Sequence, residues 1–149
     1  MRIMLVTAKK SGSLSTDERA ALRELCFVRG ELRWWLRTHW RKHVVVSIAR
    51  NRNGSVVGWS DVLCRNLDRN NRYWRDRGEV GVYVDSRFRH RGIAASLLRA
   101  SLRYAATCLP LKIVNYDCTD IKGNFVKGKA MLFQDAIKDA RLRPGSPCM

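Results

Sequence analysis

No part of this chain restricts its fold more than the passage from Glu79 to Leu98. Val80, Val82 and Val84 alternate with Gly81 and Tyr83, the period-two pattern of a strand with one buried face. The turn Asp85-Ser86-Arg87-Phe88-Arg89-His90-Arg91 follows, and then the period changes. From Gly92 to Thr107, residues Ile93, Leu97, Leu98, Leu102 and Ala105 recur at helical spacing and mark one apolar side. A helix N-terminus presents unpaired N–H groups and the positive end of the macrodipole, and so attracts an anion. Gly92 and Ala94 leave the backbone open to approach, and Arg89 and Arg91 add charge. Arg89-His90-Arg91-Gly92-Ile93-Ala94 therefore reads as a phosphate-cradling turn, and the chain as a binder of a pyrophosphate-bearing cofactor. A helix that merely begins at a glycine would use the same residues. The strand before and the apolar helix after supply the context. The segment fits neither the dinucleotide fingerprint nor the P-loop.

The remaining elements follow from pattern. Arg2 to Ala8 is apolar enough for a short first strand, and Lys9 to Ser15 reads as a polar loop. Ser15 or Thr16, with Asp17 and Glu18 behind it, caps a helix. Leu22, Leu25, Cys26, Leu32, Leu36 and Trp40 carry helical periodicity to about His43, with a break at Gly30. Val44 to Ala49 and Ser55 to Val62 are β-rich runs around Asn53-Gly54, a hairpin signal. Cys64 to Arg77 reads as an arginine-rich loop, Leu111 to Cys118 as a strand after Pro110, and Lys129 to Leu142 as a last helix with Ala130, Phe133, Ile137 and Ala140 inward. Strand, helices, hairpin, strand, helix, strand, helix is the order of an α/β chain with a mixed sheet and helices on its faces.

Composition narrows the class. A chain of 149 residues is expected to form one domain, long enough to bury a core without covalent staples. No run approaches a membrane span, and Ile3 to Val6 is too short for a signal-peptide core, so a cytoplasmic location with no membrane contact is expected. The five cysteines are odd in number, widely spaced and never paired as C-x-x-C, which argues for reduced structural thiols over zinc or a disulfide framework. A net charge of +16 draws phosphate-rich partners and acidic protein surfaces. The charge is densest from Arg65 to Arg77, where Tyr73 and Trp74 interleave, and no uninterrupted basic tail appears. Trp34, Trp35 and Trp40 lie among Arg33, Arg37, Arg41 and Lys42. They are expected to pack on the sheet, the alternative being a face for nucleic acid or an acidic protein.

The stretch Glu79-Val80-Gly81-Val82-Tyr83-Val84-Asp85-Ser86-Arg87-Phe88-Arg89-His90-Arg91-Gly92-Ile93-Ala94-Ala95-Ser96-Leu97-Leu98 resembles the acetyl-CoA motif of the GNAT superfamily of N-acetyltransferases, [Q/R]-x-x-G-x-[G/A] between a strand and a long helix. The flanking elements come in that family's order. The resemblance implies a GNAT-like, mixed, mostly antiparallel sheet flanked by helices. It implies that the backbone of Val82, Tyr83 and Val84 pairs with the pantetheine arm and that amides from Arg89, His90, Arg91, Gly92, Ile93 and Ala94 hold the pyrophosphate. The amine then attacks the thioester directly, and the protein supplies position, a base and a proton source for the thiolate.

The base implied by the resemblance is Glu79. Without a bulge, period-two geometry turns Glu79 away from the face of Val84. For the acid, Ala130-Met131-Leu132-Phe133 has the family's spacing but no hydroxyl, so Tyr116 stands as its substitute, with Cys118 another neighbour of the sulfur. The closing C-terminal hairpin of most members has no counterpart here, which leaves the acceptor pocket open, completed by a second copy in a homodimer, or built from the first helices and the Cys64 to Arg77 loop. Three readings compete: an N-acetyltransferase acting on a protein or other macromolecular amine, with an acidic or nucleic-acid-associated acceptor; a catalytically weak GNAT-like regulatory or inhibitory binding protein acting through its basic surface; and a nucleic-acid binder sharing the fold.

Overall fold

The computed structural model describes residues 5–26, 44–64, 77–109, 111–119 and 125–139. Its six strands are β1 (Leu5–Lys10), β2 (Val44–Arg50), β3 (Val56–Cys64), β4 (Arg77–Val84), β5 (Ile113–Thr119) and β6 (Phe125–Leu132). They form one sheet in the order β1-β2-β3-β4-β5-β6, antiparallel throughout except for the parallel pair β4–β5. The helices are α1 (Thr16–Cys26), α2 (Ile93–Cys108) and α3 (Phe133–Asp139). The mixed, mostly antiparallel sheet expected from the sequence is present. Among the described residues no strand follows α3, and no helix is long and apolar enough to cross a membrane.

Helix α2 lies on one face of the sheet. All five of its expected inward residues, Ile93, Leu97, Leu98, Leu102 and Ala105, are buried. They join Val45, Ala49, Val62, Val80, Val84 and Val114 in the core. The contact is close because the facing residues are small. Ser47 Oγ donates to the Leu97 carbonyl at 2.8 Å, Ser60 and Ser101 share a hydroxyl bond at 3.0 Å, and Gly58 lies under Leu97. The opposite face carries Leu14, Leu22, Val46 and Ile48, with Trp59, Leu63 and Tyr83 packed against them.

The hairpin between β2 and β3 forms where Asn53-Gly54 places it. Gly54 adopts φ +81°, and Asn51 Oδ1 accepts from the amides of Asn53 and Ser55, both at 3.0 Å. Lys9 and Lys10, expected in a loop, instead close β1, and a 3-10 turn at Ser11–Ser13 follows. The helical periodicity expected between Phe27 and His43, with its tryptophans, lies outside the described residues, as do positions 65–76 of the expected arginine-rich loop.

The largest departure is at the far end. Lys129–Leu132, expected as the start of a helix, is strand, and the helix begins only at Phe133. On its inner side β5 meets β4 over four residues. Its outer row of N–H and C=O groups needs a partner, and β6 provides one from Ile113↔Leu132 to Thr119↔Phe125. That ladder outweighs the helix propensity of the local sequence. Ala130 and Phe133 therefore share no helix, and their A-x-x-F spacing has no helical meaning. Phe133 and Ala136 are nevertheless buried, and the Phe133 amide donates to the Lys112 carbonyl at 2.7 Å. Ala140 lies outside the described residues.

Ser15 and Glu18 cap α1 reciprocally. The Glu18 amide donates to Ser15 Oγ at 3.1 Å, and the Ser15 amide donates to Glu18 Oε1 at 2.9 Å. Glu18 is buried, and Lys9 Nζ reaches Oε1 at 2.8 Å, tying α1 to β1. Burial alone would raise the Glu18 carboxyl. The Lys9 hydrogen bond, the Ser15 amide and the Lys9 charge outweigh it and hold the group below the ordinary glutamate value. A depressed folded-state pKa means that the carboxylate stabilises the fold above the unfolded value and that this contribution disappears as pH falls through the folded one. Thermal melts of wild type and Glu18→Gln should therefore differ by about 1 kcal/mol near neutral pH and converge in acid. A difference independent of pH would remove the ionised pair from the account.

Candidate functional site

The functional region is set by where β4 and β5 part. They pair from Arg77↔Ile113 to Val80↔Tyr116 and no further, while β4 continues to Val84 and β5 to Thr119. The sheet is forked from Gly81 onward. Alternation determines which backbone groups line the fork. The Asp85 amide donates to the Val57 carbonyl at 2.8 Å, so, counting back along the antiparallel register, Tyr83 and Gly81 also direct their N–H and C=O groups toward β3. Val82 and Val84 direct theirs into the fork. The register with β3 runs without a shift along β4, so no bulge changes this parity.

At the end of β4 the chain turns onto α2. Asp85 caps a 3-10 turn, Ser86–Phe88, by accepting from the Arg87 amide at 3.0 Å, and its carboxylate pairs with the Arg87 guanidinium at 2.8 Å. The hydrogen bond from Arg87 holds the Asp85 carboxyl below the usual aspartate range, against the opposing effect of burial. Arg89 donates from Nε to the Val84 carbonyl at 2.9 Å and lies 5.7 Å over the Tyr83 ring. It braces the strand end to the turn. Arg87 and Arg91 flank Phe88 at 5.8 and 5.5 Å from its ring centre.

His90 and Gly92 both adopt left-handed backbone, at φ 62° and 78°, with Arg91 between them at negative φ. A non-glycine residue there is uncommon and marks a tight turn. Gly92 is the N-cap of α2, and the first amide engaged inside the helix is that of Ser96, which donates to the Gly92 carbonyl at 3.1 Å. The amides of Gly92, Ile93, Ala94 and Ala95 precede it and have no intrahelical carbonyl to bond. A Cβ on Gly92 would meet nothing within 4 Å. Ile93 is buried and Ala94 packs on the same core cluster, so their side chains anchor the turn. A row of amide donors at a helix N-terminus, an open glycine and adjacent cations fit a diphosphate.

The catalytic candidates fall around the fork. Glu79 pairs with Leu63 on one side and Asn115 on the other, and it is half-buried. Alternation places it on the sheet face opposite Val84, as the sequence implied. Tyr116 occupies the position on β5 opposite Val80, the last pair before the fork opens. Sequence reasoning passed over two features here. Gly58 has the Tyr83 carbonyl 2.8 Å and Leu97 Cδ1 3.0 Å from where its Cβ would be. Asp61 is a buried carboxylate in the middle of β3. An isolated glycine and a lone charge inside an apolar strand were the available signals.

Comparison with known proteins agrees with this architecture. Residues 13–118 match the Acetyltransferase (GNAT) family. Among solved structures, an acyl-CoA N-acyltransferase from Pseudomonas aeruginosa is similar at TM-score 0.62 and 17% identity, covering 78% of this chain and 80% of that one. A ribosomal-protein-alanine N-acetyltransferase from Brucella melitensis is similar at TM-score 0.55 and 20% identity, covering 75% and 72%. The Salmonella typhimurium protein yncA, solved with its cofactor acetyl-CoA, is similar at TM-score 0.56 and 17% identity, covering 77% and 69%. A sequence search of curated proteins found no match. The chain belongs to the GNAT family of N-acetyltransferases, whose acetyl donor is acetyl-CoA.

Proposed function

We propose that this protein transfers the acetyl group of acetyl-CoA to a primary amine of a protein or other macromolecular acceptor, by direct attack within a ternary complex. The observation that carries this reading is the fork between β4 and β5, opening beside the amide-lined turn at the start of α2. When bound, acetyl-CoA supplies an acetyl group activated as a thioester. Val82 and the Val84 amide offer it strand groups directed into the fork, the Val84 carbonyl being held by Arg89, with Tyr83 between them holding the strand to β3. The amides of Arg89, His90, Arg91, Gly92, Ile93 and Ala94 take the pyrophosphate, and the helix dipole favours its charge.

Helix α2 covers the face carrying Val82 and Val84, so the acceptor approaches from the other face, where Glu79 lies. The parity that seemed to turn Glu79 away from the cofactor thus turns it toward the amine. Glu79 accepts the amine proton, and Tyr116, at the apex of the fork, is the candidate donor to the departing thiolate. The strongly basic surface favours an acidic or nucleic-acid-associated acceptor.

Calorimetric titration with acetyl-CoA should give saturable binding in the range of about 1 μM to 1 mM typical of enzyme substrates. No heat from folded protein at about 1 mM ligand would sink the reading. Labelled acetyl transfer into a cell extract should fall roughly a hundredfold in Glu79→Gln with acetyl-CoA affinity unchanged. Undiminished transfer would remove Glu79 as the base.

A further inference from the structure

Helix α2 carries no acidic residue from Ile93 to Cys108, yet it has arginines at 99 and 103. With Gly92 and Ser96 they follow the helical repeat at i, i+4, i+7 and i+11, one line along the helix. That line lies opposite the side that Leu97, Leu98, Ser101 and Ala105 bury against the sheet. Arg103 is exposed, as are Ala106 and Thr107 beyond it. Along the axis Arg99 and Arg103 are about 6 Å apart.

Neither arginine is held in place. Arg99 Nε is buried without a hydrogen-bond partner. Among the described residues no carboxylate forms an ion pair with Arg99 or Arg103. Like charges at i and i+4 oppose the helix, and no acid on α2 relieves them. A guanidinium with an unused Nε–H turns onto an anion without giving up a bond. A phosphate then accepts from Nε and Nη together in the forked geometry. Two such groups one turn apart suit a chain of phosphates better than a single small anion.

The rest of the line selects the polymer. It bears no aromatic side chain, and a single-stranded partner needs one to stack its bases. Tyr104, the aromatic residue of α2, packs against the core instead. A convex helix fits the roughly 12 Å major groove of B-form DNA, whereas the deep, narrow groove of A-form RNA excludes side chains.

We infer that the outer side of α2 docks a DNA duplex, with Arg99 and Arg103 on neighbouring phosphates. The net charge of +16 supplies the long-range attraction, and α2 supplies the place. The ridge does not rest on the transferase reading. What it adds to that reading is a local supply of acceptors, since a transferase seated on DNA meets the amines of other DNA-bound proteins at high effective concentration.

The test is fluorescence anisotropy of a labelled DNA duplex of arbitrary sequence, titrated with the full chain at several salt concentrations. Wild type should bind, with log affinity falling linearly against log salt. The double variant Arg99→Gln, Arg103→Gln should bind at least about tenfold more weakly at about 0.1 M salt, with the slope reduced by about 2. Arg23→Gln with Arg52→Gln removes the same charge from exposed positions on α1 and the β2–β3 hairpin, and should stay within about threefold of wild type. Equal losses in the two double variants, or no binding by wild type at about 50 mM salt, overturn the ridge. Displacement of the duplex by an equal charge of poly-glutamate overturns it in favour of an acidic protein, and tighter binding of a matched RNA duplex overturns the choice of DNA. Acetyl-CoA affinity should be the same in wild type and the Arg99, Arg103 variant, whereas a matching loss would assign both arginines to the cofactor. Duplex binding by a protein that gives no heat with acetyl-CoA leaves the ridge standing and removes the transferase reading.

Discussion

Replacing Gly92 by glutamate should lower acetyl-CoA affinity at least a hundredfold, about 2.7 kcal/mol of binding free energy. Two effects act together. Gly92 has φ +78°, a conformation that disfavours any residue with a Cβ by about 1 kcal/mol or somewhat more. A carboxylate would also stand at the turn from Arg89 to Ala94 proposed above to hold the diphosphate, with like-charge repulsion in place of attraction. Alanine separates these contributions. Nothing lies within 4 Å of the added methyl, so Gly92→Ala meets only the backbone strain. It should lower thermal stability by about 2–4 °C while retaining most of the affinity. Calorimetry on both variants, with melting curves alongside, makes the comparison. Equal affinities for acetyl-CoA in wild type and Gly92→Glu would place the diphosphate elsewhere.

The second large effect concerns the fold that carries the site. Gly58→Ala should destabilise the protein by about 2–3 kcal/mol. Its methyl would sit 2.8 Å from the Tyr83 carbonyl, 3.0 Å from Leu97 Cδ1 and 3.4 Å from Val84 Cα. Two of those atoms are backbone and cannot turn aside. Either β3 and β4 separate or α2 lifts from the sheet. Because Tyr83 and Val84 border the fork, acetyl-CoA affinity should fall with stability. Gly12→Ala, with open space around its added methyl, is the matched control and should be near neutral. Denaturant unfolding of the two variants measures the difference, and a Gly58→Ala protein as stable as Gly12→Ala would contradict the packing described here.

How much of this was legible beforehand depended on distance along the chain. The buried side of α2 was readable residue by residue, because an amphipathic helix records its orientation every three or four positions. The β2–β3 hairpin was readable because Asn and Gly carry their own turn geometry. The Ser15–Glu18 cap was partly readable, since both partners lie within one helical turn, although the Lys9 contact with Glu18 was not. Lys129–Leu132 was misread. Its local sequence suits a helix, and only the open edge of β5, some fifteen residues earlier, makes it a strand. Phe27 to His43 and positions 65–76, where aromatic and basic residues concentrate, lie outside the described residues and leave those expectations as they stood.

The Arg89 to Ala94 turn shows where the division falls. Strand periodicity, a glycine and a helix start are local properties, and by themselves they determined that a tight turn into a helix N-terminus would follow β4. They also carried the resemblance that the family match bears out. The sequence could not say where β4 and β5 separate, because that depends on pairing between segments more than thirty residues apart. Nor could it show that α2 lies against the face of Val84 with Glu79 on the opposite one, or that Asp61 lies over Gly81. Those relations come from tertiary packing, in which the register of one strand decides what stands above another.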